Sequence, residues 1–288
     1  SVVGVTPAMP SGCSMNILLR EMPERCFDVG IAEGHAVTFS AGLAAAGMVP
    51  FCNIYSTFMQ RAYDNVIHDV AIQGLPVVMC LDRGGLVGED GVTHHGVFDM
   101  AAFGAVPGLT VAAPMNEPEL RNMMWTGLQA GAPFMIRYPR GLGEGLPWRG
   151  LPFETLPVGR GRRLREGRDV ALVTVGTVGN AAARAAERAA AQGVEAAHYD
   201  LRWVKPLDTE LLDEVGRTFR RVITVEDGCL RGGVGEAVAA YFNARGYDAH
   251  VTCLGIGDAW VEHGTPEQLH ALCGYDEESI LRALTQPA

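Results

Sequence analysis

No apolar run in this chain approaches the roughly 18 residues needed to cross a bilayer. No basic stretch followed by an apolar core opens it, as a secretory leader would. C-x-x-C pairs are missing too. The seven cysteines, an odd number, lie mostly in apolar runs, as do Cys52, Cys80 and Cys253. That usage describes buried, reduced thiols and predicts a cytoplasmic protein with no membrane partner. Positive charge is in deficit: 23 Lys+Arg against 33 Asp+Glu leave a formal net charge of −10, which repels phosphate backbones and argues against nucleic acid. Charged residues make up only 19% of the chain, below the usual quarter or so. Repeats are absent, and the one biased run, AAARAAERAAA (181–191), is ordinary helix filler.

What is present is core material. Of 288 residues, 48% are hydrophobic and 36 are Gly, which excludes global disorder and leaves room for about two domains. The first residue is Ser1 rather than Met, so a processed chain or a piece of something longer is expected.

Short, continuously apolar runs alternate with longer amphipathic ones. Strands are expected at 2–6, 27–31, 50–55, 76–82, 109–114 and 134–139, with helices at 34–47, 57–73, 98–106 and 116–130. Asn116 followed by Glu119 predicts a helix start with a capping-box acid. Residues 141–168 lose the pattern and read as a Gly/Pro/Arg-rich linker. Alternation resumes with strands at 169–176, 195–201, 221–227 and 250–256. Helices follow at 178–192, from Asp208, from about 233, after Thr265-Pro266-Glu267, and at 276–285. The expected fold is α/β, with two doubly wound parallel domains at 1–145 and 169–288 joined by a linker over 146–168.

Open α/β sheets bind ligands beyond the carboxyl ends of their strands, and three segments lie there. Glu33 follows a buried strand at a helix start, where a carboxylate could also serve simply to favour the helix dipole. Tyr55-Ser56-Thr57-Phe58-Met59-Gln60-Arg61 ends a strand and opens a helix. Phe58, read alone, suits a core, whereas Arg61 sits at the wrong end of a helix to stabilise it. The third segment, Arg83–Gly96, has five glycines in fourteen residues. Such long βα connections are usually functional or mobile. It carries Glu89, Asp90, His94 and His95, whose spacing matches no common zinc site. Gly232-Gly233-Val234-Gly235 reads as a tight strand–helix turn rather than a phosphate cradle.

Taken together, FDVGIAEGHAVTFSAGLA, IYSTFMQRAYDNVIHDVAIQ, GLVGEDGVTHHGVFDM and IRYPRG resemble the 1-deoxy-D-xylulose-5-phosphate synthase family. VKPLD (204–208) and ITVEDG (223–228) extend the likeness more loosely toward the C-terminus. The resemblance implies a transketolase-type transferase that joins pyruvate to glyceraldehyde 3-phosphate with loss of CO2, feeding isoprenoid-precursor, thiamine and pyridoxal synthesis. It implies thiamine diphosphate as cofactor and Mg²⁺, whose ligands belong to an N-terminal diphosphate-binding domain with a Gly-Asp-Gly motif. No Gly-Asp-Gly occurs here. The chain therefore resembles the pyrimidine-binding and C-terminal domains only, and by itself is expected to bind the cofactor poorly and to be inactive. The expected partners are that domain, in the same chain or a separate one, and a second copy in a homodimer.

By the same resemblance, Glu33 hydrogen-bonds N1′ of the aminopyrimidine and Phe58 stacks on that ring, with Tyr55 near the substrate. Arg61 and Arg140 bind the aldehyde's phosphate, for which guanidinium forks suit better than Lys. Arg137 competes with Arg140, and strand alternation would put the two on different faces. Asp90 and His94 face the reacting carbons, while His35 is expected to pack against the next strand. The last domain is expected mostly to support dimer contacts. Two other readings stay open. One is a β-type subunit of a 2-oxo acid dehydrogenase or a transketolase half-subunit; the other is a non-catalytic assembly subunit.

Overall fold

The structure is a computed structural model and describes residues 1–286. Its strands run in chain order β1 (Val2–Thr6), β2 (Cys26–Asp28), β3 (Val49–Tyr55), β4 (Val78–Asp82), β5 (Thr110–Ala112) and β6 (Phe134–Arg137), then β7 (Arg162–Arg165), β8 (Val170–Val175), β9 (Ala196–Asp200), β10 (Trp203–Lys205), β11 (Arg221–Cys229) and β12 (His250–Ile256). They form a seven-stranded sheet, β10-β5-β6-β4-β3-β1-β2, and a five-stranded one, β12-β11-β8-β9-β7. Both are parallel except for one antiparallel edge strand each, β10 and β7. Helices cover both faces, as the unbroken apolar strands require: β8 is buried along its whole length.

The helix starts at Asn116, Asp208, Thr265 and Asp276 form as their side chains dictate, each accepting a backbone N–H from three residues on. Thr265 and Gln268 complete a capping box. Glu119 does not. Its carboxylate turns away to Arg202 and Arg162, at 2.8 and 3.1 Å, because two guanidinium partners outweigh one backbone N–H.

Five elements depart from expectation. A two-turn helix, Met15–Glu21, and the strands β7 and β10 are too short for their period to show. β7 lies inside the stretch read as linker, and β10 leaves the C-terminal half to pair with β5. The helix expected over 57–73 is broken by a tight turn at Gln60–Ala62 and widened turns over Val66–Ala71. β6 ends at Arg137, short of Pro139, so the alternation argument separating Arg137 from Arg140 does not reach Arg140.

The second sheet buries an uncharged imidazole. His198 is 1% exposed, with Nε2 2.9 Å from the Thr174 hydroxyl, and burial pulls its pKa from 6.5 down to about 4. The unfolded chain therefore binds one more proton between these values, and stability is lost as pH falls through that window. Relative to His198→Gln, the wild-type chain should lose roughly 3 kcal/mol between pH 7 and pH 4, at about 1.4 kcal/mol per pH unit. Parallel urea titrations at the two pH values would expose the idea as wrong if the difference between the proteins stayed constant.

Candidate active site

Because β1, β2, β3, β4 and β6 are mutually parallel, their carboxyl ends open on one rim, and the polar residues singled out above gather there. The turn after β2 is set by Asp28, whose Oδ1 accepts the N–H groups of Ala8 and Gly30 at 2.8 and 3.0 Å. Gly30 takes φ +77°, and the chain re-enters as the helix Glu33–Ala45. That places Glu33 in the first helical turn, 5% exposed.

Its carboxylate receives Arg61 Nη1 at 2.7 Å. The tight turn at Gln60–Ala62 is where Arg61 leaves its helix, and the same guanidinium stands 4.9 Å over the Phe58 ring. Phe58 is half-buried and stacks on Tyr55, with centroids 5.7 Å apart and planes inclined by 16°. His94 meets Phe58 edge-on at 5.3 Å and is held by the Thr93 hydroxyl at 2.9 Å. Glu33, Arg61, Phe58, Tyr55 and His94 thus form one contiguous cluster. Asp90 and Arg140 form a separate exposed pair at 3.9 Å, and Arg140 also donates to the Val87 carbonyl at 3.3 Å.

Two of the sequence expectations are corrected. Arg137 is no competitor for a ligand: it is 5% exposed and donates to Asp99 Oδ2 at 3.0 Å and to the Asp227 carbonyl at 2.9 Å. His35 does not pack on a strand. It is exposed and stacks on Phe39 one helical turn away, at 5.9 Å. His95 is buried, its Nδ1 accepting the Val87 N–H at 3.1 Å. The turn Gly232–Gly235 leaves no free cradle, since Glu226 already accepts the N–H groups of Val234 and Gly235 at 2.9 and 2.8 Å. Among the described residues no group of three or more His, Cys, Asp or Glu could hold a metal.

Sequence reasoning overlooked Asp82 and Arg83, at the end of β4. Arg83 adopts φ +61°, rare for a residue with a side chain, and lies 3.7 Å over the Tyr55 ring. It donates to the Gly12 carbonyl at 3.1 Å, and a Cβ on Gly12 would collide with the Tyr55 hydroxyl. Its Nε is buried without a hydrogen-bond partner among the described residues. Burial pushes the Asp82 carboxyl up to about 6, against the opposing pull of Arg83 at 3.1 Å. The available signal was positional: both follow a buried strand at its carboxyl end. A buried carboxylate, a half-buried aromatic stack and three cations around one rim can together hold a flat heterocycle and an anion.

Residues 1–144 match the family model described as transketolase, pyrimidine binding domain, and residues 159–280 match that of the transketolase C-terminal domain. Among curated proteins, the 1-deoxy-D-xylulose-5-phosphate synthase of Bacteroides thetaiotaomicron is 59% identical over 98% of this chain and 44% of its own length. That of Chlorobaculum tepidum is 47% identical over 97% and 44%. The chain therefore spans less than half the length of these relatives. Among solved structures, a split-gene transketolase described as an inactive beta4 tetramer superposes with a TM-score of 0.86 at 28% identity, covering 98% of this chain and 90% of that one. The transketolase of Campylobacter jejuni, at 16% identity and a TM-score of 0.75 over 98% and 43%, shares the fold.

Proposed function

Because the chain belongs to the transketolase pyrimidine-binding domain family, with a transketolase C-terminal domain behind it, we propose that it is the corresponding part of a thiamine-diphosphate-dependent 1-deoxy-D-xylulose-5-phosphate synthase. The observation that carries this is the contiguous cluster of Glu33, Arg61, Phe58, Tyr55 and His94 on one rim. A buried carboxyl group that can share a proton with a ring nitrogen, beside an aromatic face, is what an aminopyrimidine needs, so the residues present fit that end of the cofactor. They do not fit the diphosphate and its Mg²⁺, which we assign to polypeptide outside these residues.

When bound, thiamine diphosphate supplies a carbon nucleophile for the acyl carbon of pyruvate. Glu33 holds the pyrimidine at N1′ and keeps a proton there, while Phe58 orients the ring by stacking. Asp90 and His94 lie on the loop facing the reacting carbons and move protons at the aldehyde carbonyl. Arg140 and Arg61 bind the aldehyde's phosphate. Arg61 must then release Glu33, which its 59% exposed side chain permits. Arg83, its Nε without a hydrogen-bond partner among the described residues, adds a third cation on the Tyr55 side.

Arg140→Ala in the complete enzyme is the test. Losing one charge-assisted hydrogen bond costs about 1.5–3 kcal/mol. KM for glyceraldehyde 3-phosphate should therefore rise roughly ten- to a hundredfold, and KM for pyruvate should hardly change. Equal rises for both substrates would remove the phosphate assignment. No 1-deoxy-D-xylulose 5-phosphate from the unsubstituted enzyme would remove the synthase reading. The fit over 90% of a split-gene transketolase chain favours, as a second reading, a separately encoded half-subunit. An open reading frame carrying a diphosphate-binding domain upstream in the same chain would decide between them.

A further inference from the structure

The glycines of the loop Arg83–Gly96 record a seam. A Cβ on Gly85 would overlap the Asp227 carboxylate. On Gly88 it would stand 3.0 Å from the Gly264 carbonyl and 3.1 Å from Pro266, and on Gly91 3.2 Å from His263 Cβ. All three glycines take positive φ, at +83°, +89° and +69°. They recur every third residue, and each turns its bare face to the C-terminal half. Hydrogen bonds follow the same line. Leu86 N–H donates to Asp227 Oδ1 at 3.0 Å, Cys229 N–H to the Val97 carbonyl at 2.9 Å, and Gly264 N–H to the Gly88 carbonyl at 3.4 Å. Asp227 is itself fixed by the Tyr275 hydroxyl at 2.8 Å, with His270 3.8 Å away. A fourteen-residue loop, closed at its base by two backbone hydrogen bonds between Gly85 and Gly96 and otherwise holding a single turn at Gly91–Thr93, is therefore laid along a bed formed by residues 227–229 and 263–266.

We propose that the C-terminal half is a positioning element for the reaction: Asp227, at the centre of this seam, holds the loop so that Asp90 and His94 meet the substrate carbons. Asp227 touches neither Glu33 nor Phe58; the loop meets the Phe58 ring at the edge of His94, while the Glu33 carboxylate, which serves cofactor activation, stands on the helix Glu33–Ala45 outside the seam. The assignment of Asp90 and His94 rests on the function proposed above; the seam itself does not.

Asp227→Ala in the complete enzyme separates the two tasks. Amide exchange of residues 85–97 should quicken by roughly ten- to a hundredfold, the worth of one charge-assisted hydrogen bond. Exchange in the helix 33–45 should stay at wild-type. Under saturating substrates kcat should fall by a similar factor, while the affinity for thiamine diphosphate and exchange of its C2 proton stay within about twofold. Asp227→Asn, which keeps an acceptor for Leu86, should recover most of both losses. A second variant, His263→Gly in a Gly91→Ala background, guards against simple unfolding: room restored at the contact should return part of the kcat that Gly91→Ala removes. Unchanged loop exchange in Asp227→Ala, or exchange quickened equally throughout the chain, overturns the proposal. Quickened loop exchange in an enzyme that makes no deoxyxylulose phosphate overturns the assigned reaction and leaves the seam standing.

Discussion

Glu33→Gln in the complete enzyme is expected to slow exchange of the bound cofactor's C2 proton by about 10²- to 10⁴-fold, the usual contribution of a positioned acid–base group. The fold should be unaffected. Gln has the same shape and keeps an acceptor for Arg61 at 2.7 Å, and that pair contributes little to stability because Arg61 is 59% exposed. Melting temperatures of variant and wild type should agree within a few degrees. NMR-monitored exchange within threefold of wild-type would reduce Glu33 to a helix-start carboxylate, a role worth a few tenths to 1 kcal/mol.

The second large effect is on stability. Arg137 is 5% exposed, and its guanidinium ties the carboxylate of Asp99 to the backbone of Asp227 and Gly96. Asp99 also accepts the Ser56 hydroxyl at 2.9 Å, so the network reaches the segment that carries Phe58 and Arg61. Arg137→Met leaves buried carboxylates without their cation, and breaking such a pair costs about 3–5 kcal/mol. A fall in melting temperature on the order of 10 °C is expected. Adding Asp99→Leu removes one orphaned charge and should recover part of the loss. If Arg137→Met melted with wild-type, the buried network would carry no stability.

The contrast between Arg137 and Arg140 shows where sequence reading reaches and where it stops. Three residues apart, both looked like phosphate ligands, and nothing local says that one faces Asp99 across the core. That partner is 38 residues distant. The long parallel strands and capped helices were legible because hydrophobic period and cap chemistry are local. β10, with three residues, carries no period to read. Glu33, Phe58 and Tyr55 were legible as residues at strand ends, yet the ion pair joining Glu33 to Arg61 depends on a broken helix that no Pro or Gly announces. Five glycines marked the loop 83–96 as special. The sequence left mobility and function equally open, because what Gly85, Gly88 and Gly91 face belongs to residues more than 140 positions away.

Trp203 is fully buried, lies edge-on to Phe134 at 5.9 Å, and brings β10 back to finish the first sheet against β5. Cutting the chain between residues 144 and 159, where the two family matches stop and start, would strip that strand away. Thr110–Ala112 would then present unpaired backbone groups beside a bared Phe134, a template for pairing with other copies. The two matched segments are thus not interchangeable cassettes. A shuffled or truncated first segment would need a substitute for residues 203–205 to stay in solution.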